Sequence, residues 1–172
     1  MTAQRSAAAD RAAIADLLAR YCRGVDRLDL ELVRSCYHAD GVDHHTGFDG
    51  TVDEYVAWLA PALRRLAGTQ HLVSTQLIEP AGDEAVAETY GQAVHWGDPP
   101  EDPRRNFTSG FRYLDHLQYR GGRWAIRERW AVREWTRSEA GMFVAKEADG
   151  PSGRRDADDP LWSLRSRVLG TG

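Results

Sequence analysis

The sequence predicts an α+β fold, a curved sheet with helices closing one side, on three observations. As far as Leu66 the apolar residues recur with helical spacing, whereas from Thr69 to Thr136 they alternate as strand residues do. Turn residues, among them the Gly121-Gly122 pair, mark the reversals between the alternating runs, so the strands are expected to be antiparallel. A sheet curled around its own helices leaves a cone-shaped cavity, which is where small-molecule sites tend to form.

Residues 6–25 read as the first helix. Ser6 caps it, and Ile14, Leu17, Leu18, Tyr21 and Val25 share one stripe at about 100° per residue. Gly24 weakens its last turn. Asp29 caps a short second helix with Leu30, Leu32, Val33, Cys36 and Tyr37 on its buried side. His38-Ala39-Asp40-Gly41 reads as a turn, and residues 42–50 as a short strand or ordered loop. Thr51 opens a third helix with capping-box spacing to Glu54, and Tyr55, Trp58, Leu59, Leu63 and Leu66 give it an apolar face. Pro61 predicts a kink there, or two shorter helices. Strands follow over residues 69–79, 85–96, 107–119 and 124–136, with a turn at 80–84, a proline-rich loop at 97–103 and a hairpin at Arg120–Arg123. Residues 1–136 are therefore read as the folded domain and 137–172 as a C-terminal tail, pinned at Leu161-Trp162 and Leu164.

Composition narrows the function classes. In 172 residues, 22 basic and 26 acidic side chains leave a formal charge of −4, with no basic stripe interleaved with aromatics. Nucleic acid and anionic membrane are not expected as partners. No signal peptide and no apolar run of membrane-spanning length is recognised, so the expected compartment is the cytoplasm. Cys22 and Cys36 form no metal or disulfide pattern and are read as small buried hydrophobes. Glycine-rich nucleotide loops and the GxSxG elbow are missing as well, and His44 and His45, adjacent in an extended segment, point to opposite sides. No cofactor and no metal are expected.

The chemistry centres on Asp26. It sits in the last turn of the first helix, at the edge of the apolar stripe, where the helix dipole already disfavours a carboxylate. Two readings stay open: Arg23 and Arg27 neutralise it, or it has a partner elsewhere. His71, near the start of the first long strand and on one face with Val73, Thr75 and Leu77, is such a partner. An Asp–His pair fixes the imidazole tautomer, stabilises imidazolium and leaves the other ring nitrogen free to take a proton. Tyr21 lies about 140° from Asp26 around the helix and serves either the core or a leaving hydroxyl. In the last strand Arg127, Arg129, Ala131 and Arg133 alternate with Trp124, Ile126, Glu128, Trp130 and Val132. The second set is the more apolar face, and an inward arginine from the first would clamp an anion or enolate.

Together, Ile14-x-x-Leu17-Leu18-x-x-Tyr21-x-x-x-x-Asp26-x-x-Asp29, His38-Ala39-Asp40-Gly41-Val42, Phe48-x-Gly50, Thr69-Gln70-His71, Arg112-Tyr113-x-Asp115 and Gly122-Arg123-Trp124-x-Ile126-x-x-Arg129 resemble the SnoaL-like branch of the nuclear transport factor two-like superfamily over residues 8–136. The resemblance implies a conical α+β barrel and a homo-oligomer, dimer or trimer, packed through the outer face of the sheet, for which Trp124 and Trp130 are suited. Its bile-acid dehydratase, scytalone dehydratase and hexachlorocyclohexane dehydrochlorinase members use an Asp–His dyad without cofactor. Asp26 and His71, 45 residues apart, fall on its positions, with Tyr21 and Arg129 on those of an active-site tyrosine and arginine. The resemblance therefore implies a lyase of dehydratase type acting on a small hydrophobic, cyclic or polyketide-like molecule. Its alternatives are a cyclase or isomerase with the same dyad and a non-catalytic binding member. Asp26, His71, Tyr21 and Arg129 are the candidate catalytic residues, and His44, Trp58, His95 and Tyr113 the candidate substrate-binding ones.

Overall fold

A computed structural model describes residues 5–97, 102, 104–138 and 155–169. The first helix, α1 (Ala7–Arg27), starts where Ser6 accepts from the Ala9 N–H at 3.1 Å and ends on Leu28, which adopts a left-handed conformation at φ 57°. Asp29 then caps α2 (Leu30–Ser35), accepting from the Leu32 N–H at 2.9 Å. Strands β1 (Tyr37–His45) and β2 (Phe48–Thr51) follow, and α3 (Val52–Arg64) opens with the complete Thr51–Glu54 capping box. Then come β3 (Gly68–Ala81), β4 (Glu84–Trp96), β5 (Phe107–Arg120) and β6 (Arg123–Ser138), and finally α4 (Pro160–Leu169).

The six strands form one curved, unclosed sheet in the order β2-β1-β6-β5-β4-β3. Neighbours are antiparallel except β1 and β6, which run parallel. The sheet is thus mixed, where alternation alone predicts an antiparallel one. His38–Gly41, read as a turn, lies inside β1: pairing to β6 passes from Tyr37↔Ile126 to Val42↔Glu128, so the turn-forming residues are absorbed as an irregularity of the strand. Pro61 does not divide α3, which runs through it to Arg64. Proline lacks only one N–H, and here that loss falls in the last turns of the helix. At the β5–β6 hairpin Gly121 and Gly122 both take positive φ, as the two central positions of a tight turn require. The proline-rich loop falls largely outside the described residues, as does most of the tail; within α4, Trp162 lies 4.8 Å from the Arg23 guanidinium.

The core forms where α1 and α3 lie on the concave face of the sheet. Ile14, Leu17, Leu18, Tyr21 and Val25 bring the α1 stripe against Ala85, Ala87, Tyr113, Leu117 and Ile126, and both cysteines are buried. Bulges decide which side chains point inward. In β3 the register slips between Val73 and Gln76, so His71 and Val73 face inward while Leu77 is 56% exposed and Ile78 is buried. In β6 it slips at Arg127, and the inward set becomes Trp124 and Ile126 before the slip and Arg129 and Ala131 after it. Trp124 is consequently inside, donating from Nε1 to Asp10 at 2.7 Å, and Trp130 is half exposed outside. The two tryptophans do not share the outer face expected of them.

Candidate active site

A cavity of about 550 Å³ opens between α1, α3 and the concave face of the sheet. Trp58, Leu59, Leu63, Leu66, Phe107 and Phe111 make most of its wall apolar. Its polar side chains include Tyr21, His45, Tyr55, His71, His95 and Tyr113, with Arg65, Arg104, Arg105 and Arg133 also lining it.

Asp26 is bonded to His71 and not to Arg23 or Arg27. Its Oδ1 accepts from Nδ1 of His71 at 2.7 Å, and its two oxygens also take the His71 backbone N–H at 3.1 and 2.9 Å. The carboxylate at the end of α1 thus fixes both the backbone of β3 and the ring it carries. With Nδ1 bonded to the carboxylate, Nε2 is the ring nitrogen without a bond to Asp26, and the His71 side chain is 7% exposed. A ring held by a carboxylate in this way can serve as an oriented base.

His95 stands edge-on to His71, ring centres 6.2 Å apart, and stacks on Phe107 at 4.2 Å. Burial and the neighbouring His71 lower its pKa to about 4, so it is neutral at pH 7. A ring neutral in the fold and free to charge on unfolding makes the unfolded state bind more protons between its ordinary value and about 4. Its contribution is therefore present above about pH 6.5 and is lost as the pH falls through this window. Wild type should lose about 2 kcal/mol more stability than His95→Gln between pH 7.5 and pH 5, as read from urea midpoints at the two values.

Tyr21 is buried and lines the cavity, and its hydroxyl shares a 2.5 Å hydrogen bond with that of Tyr55. Burial raises the pKa of this phenol, against the pull of Arg129, so it stays protonated and able to donate. Tyr55 was hidden in the apolar stripe of α3, where a tyrosine is indistinguishable from packing. Arg129 is wholly buried and lies behind the cavity wall: Nε and Nη2 donate to Asp115 at 2.6 and 2.8 Å, while Tyr21 and Tyr113 cover the guanidinium at 4.0 and 4.1 Å. It holds Tyr21 and Tyr113 in place and does not reach a ligand in the cavity. Trp58, His95 and Tyr113 line the cavity. His44 does not; it stacks on Trp130 at 3.9 Å and meets Asp49 and Glu128 on the other side of β1. Its neighbour His45 takes the inward place. No group of three or more metal-ligating side chains is found among the described residues.

Comparison with known proteins agrees with the fold. A family model described as the SnoaL-like domain matches residues 6–130. No curated protein matches the chain. Among solved structures, a candidate scytalone dehydratase from Novosphingobium aromaticivorans is 20% identical with a TM-score of 0.67, covering 80% of this chain and 95% of its own. A hexachlorocyclohexane dehydrochlorinase from Novosphingobium barchaimii is 20% identical with a TM-score of 0.65, covering 81% and 97%. A protein of Kribbella flavida reaches a TM-score of 0.70 at 18% identity, covering 77% and 95%.

Proposed function

Because the chain belongs to the SnoaL-like domain family, we propose that it is a cofactor-independent lyase of dehydratase type, acting on a small cyclic or polyketide-like molecule. The observation that carries this is the Asp26–His71 contact, a 2.7 Å carboxylate–imidazole bond at the wall of a largely apolar cavity. His71 Nε2 takes a proton from a carbon beside a carbonyl, and Asp26 stabilises the imidazolium that forms. Tyr21 and Tyr55 offer a protonated hydroxyl pair to the developing oxyanion. The dehydratase and dehydrochlorinase among the similar folds are named for eliminations, which supports this class.

The substrate must fit about 550 Å³ and present a ring to Trp58 and Phe111. The chain would work as a homo-oligomer through the outer face of the sheet, where Leu72, Leu77, Val86, Tyr90 and Trp130 are 44–56% exposed. No helix among the described residues is long and apolar enough to cross a membrane.

The test is elimination of water from β-hydroxycyclohexanone and larger β-hydroxyketones, followed by enone absorbance. His71→Ala should remove turnover while the circular dichroism spectrum and urea midpoint stay close to wild type. Turnover retained by that variant overturns the reading.

A further inference from the structure

A second carboxylate–imidazole pair faces the same cavity. Asp43, wholly buried on β1, bonds Nδ1 of His45 with Oδ1 and accepts from the Tyr37 hydroxyl with Oδ2 at 2.5 Å. His45 lines the cavity, its ring stacked on Tyr55 at 4.8 Å. Because Nδ1 is the bonded nitrogen, Nε2 is on the opposite edge of the ring. His45 and His71 are carried by strands with three others between them in the sheet, yet both line one cavity.

The two pairs differ in how deeply the charge behind them is buried. Asp43 pairs in register with Arg129 on β6, which pairs in turn with Asp115 on β5. Two wholly buried carboxylates thus flank one buried guanidinium, a local charge of −1 in a region of low dielectric unless a proton is added. Around His45 the hydroxyls of Tyr21, Tyr37, Tyr55 and Tyr113 lie among buried aromatic rings and are held protonated by burial, and the cation lining the same cavity on β6 is Arg133. Behind His71 the single carboxylate, Asp26, is 13% exposed and has the Arg155 guanidinium as an electrostatic neighbour, so its charge is less deeply buried.

We propose that Asp43 and His45 form a second acid–base pair, in which His45 gives a proton to the departing oxygen of the substrate while His71 removes the carbon-bound proton. This deepens the lyase reading above and rests on it. It names the substrate class as a β-hydroxycarbonyl compound, with its acidic carbon at His71 and its hydroxyl at His45. His71 Nε2 takes the proton from the carbon beside the carbonyl, and the C–H electron pair becomes the new C=C bond. The C–O bond breaks, its electron pair takes the proton from Nε2 of His45, and water leaves. His71 ends as imidazolium and His45 as the neutral ring, and proton exchange with water restores both.

Two matched probes test it: β-hydroxycyclohexanone, whose leaving group needs a proton, and β-(p-nitrophenoxy)cyclohexanone, whose leaving group does not. His45→Gln should lose about 100-fold more turnover on the first than on the second. Equal losses on both, or none on either, overturn the proposal. Failure of the underlying reading looks different, since His71→Gln would then keep turnover on both. Ring-nitrogen NMR of the free protein decides independently of any probe. At neutral pH His45 should carry a proton on both ring nitrogens and lose one in Asp43→Asn, whereas a singly protonated His45 in the wild type overturns the proposal.

Discussion

Replacing Arg129 by methionine lowers the unfolding free energy by about 3–5 kcal/mol, because it leaves a buried carboxylate with no counter-charge. The side chain is wholly buried, and two of its nitrogens bond both oxygens of Asp115, itself wholly buried. Burial acts to lower the pKa of the guanidinium, but Asp115 together with Tyr37 and Tyr21 more than offsets it, and the net direction is upward. Tyr21 and Tyr113 lie on the guanidinium and lose a cation–π contact with it, about 0.5–2 kcal/mol each. The carboxylate left behind is the larger part, and a second change shows it. Arg129→Met with Asp115→Leu should recover most of the loss, since a buried pair replaced by apolar side chains of similar size is often neutral. Urea midpoints of the two single variants and the double variant measure this. A double variant as unstable as Arg129→Met alone would place the stabilisation in the stacking and not in the ion pair.

The same residue shows where the sequence was legible and where it was not. That one inward arginine in the last strand matters could be read from its chemistry, and the helices, their caps and four long strands could be read from period and capping residues. Which face Arg129 occupies could not, because a single extra residue at Arg127 reverses the alternation that follows it. The slip between Val73 and Gln76 does the same to Leu77, and that within β1 hides a strand behind turn-forming residues. His44 and His45 carry identical chemistry one position apart, so choosing between them requires the register of β1 against β6, set by that irregularity. The Asp26–His71 contact escaped this difficulty. Neither residue is moved by a slip: Asp26 is on a helix whose stripe fixes its direction, and His71 is ahead of the β3 bulge. Tyr55 was hidden for another reason, since a helical stripe of aromatic residues says nothing about which hydroxyl meets a partner.

Replacing Asp26 by asparagine tests whether that contact orients a base or only fastens β3 to α1. An amide can still accept through one oxygen from the His71 backbone, so the fastening largely survives. It cannot balance the charge of an imidazolium, and its NH2 favours a ring that presents a lone pair at Nδ1. The proton then moves to Nε2, the nitrogen that should receive the substrate's proton, and the base is blocked by its own hydrogen. The expected result is a fall in kcat of about 100- to 10,000-fold on a β-hydroxyketone, with KM changed only a few-fold. The accompanying stability loss should stay at about 1–3 kcal/mol, that of a weakened buried hydrogen bond. Ring-nitrogen NMR should show the His71 proton on Nδ1 in the wild type and on Nε2 in Asp26→Asn. A kcat that falls only in proportion to the unfolded fraction, with the tautomer unchanged, would make the contact a fastening and remove the base from the proposed mechanism. A lost kcat with a folded protein and a shifted tautomer comes from what Asp26 does to the ring, its tautomer and the charge behind it, because the residue changed is the one behind the ring and not the one that meets the substrate.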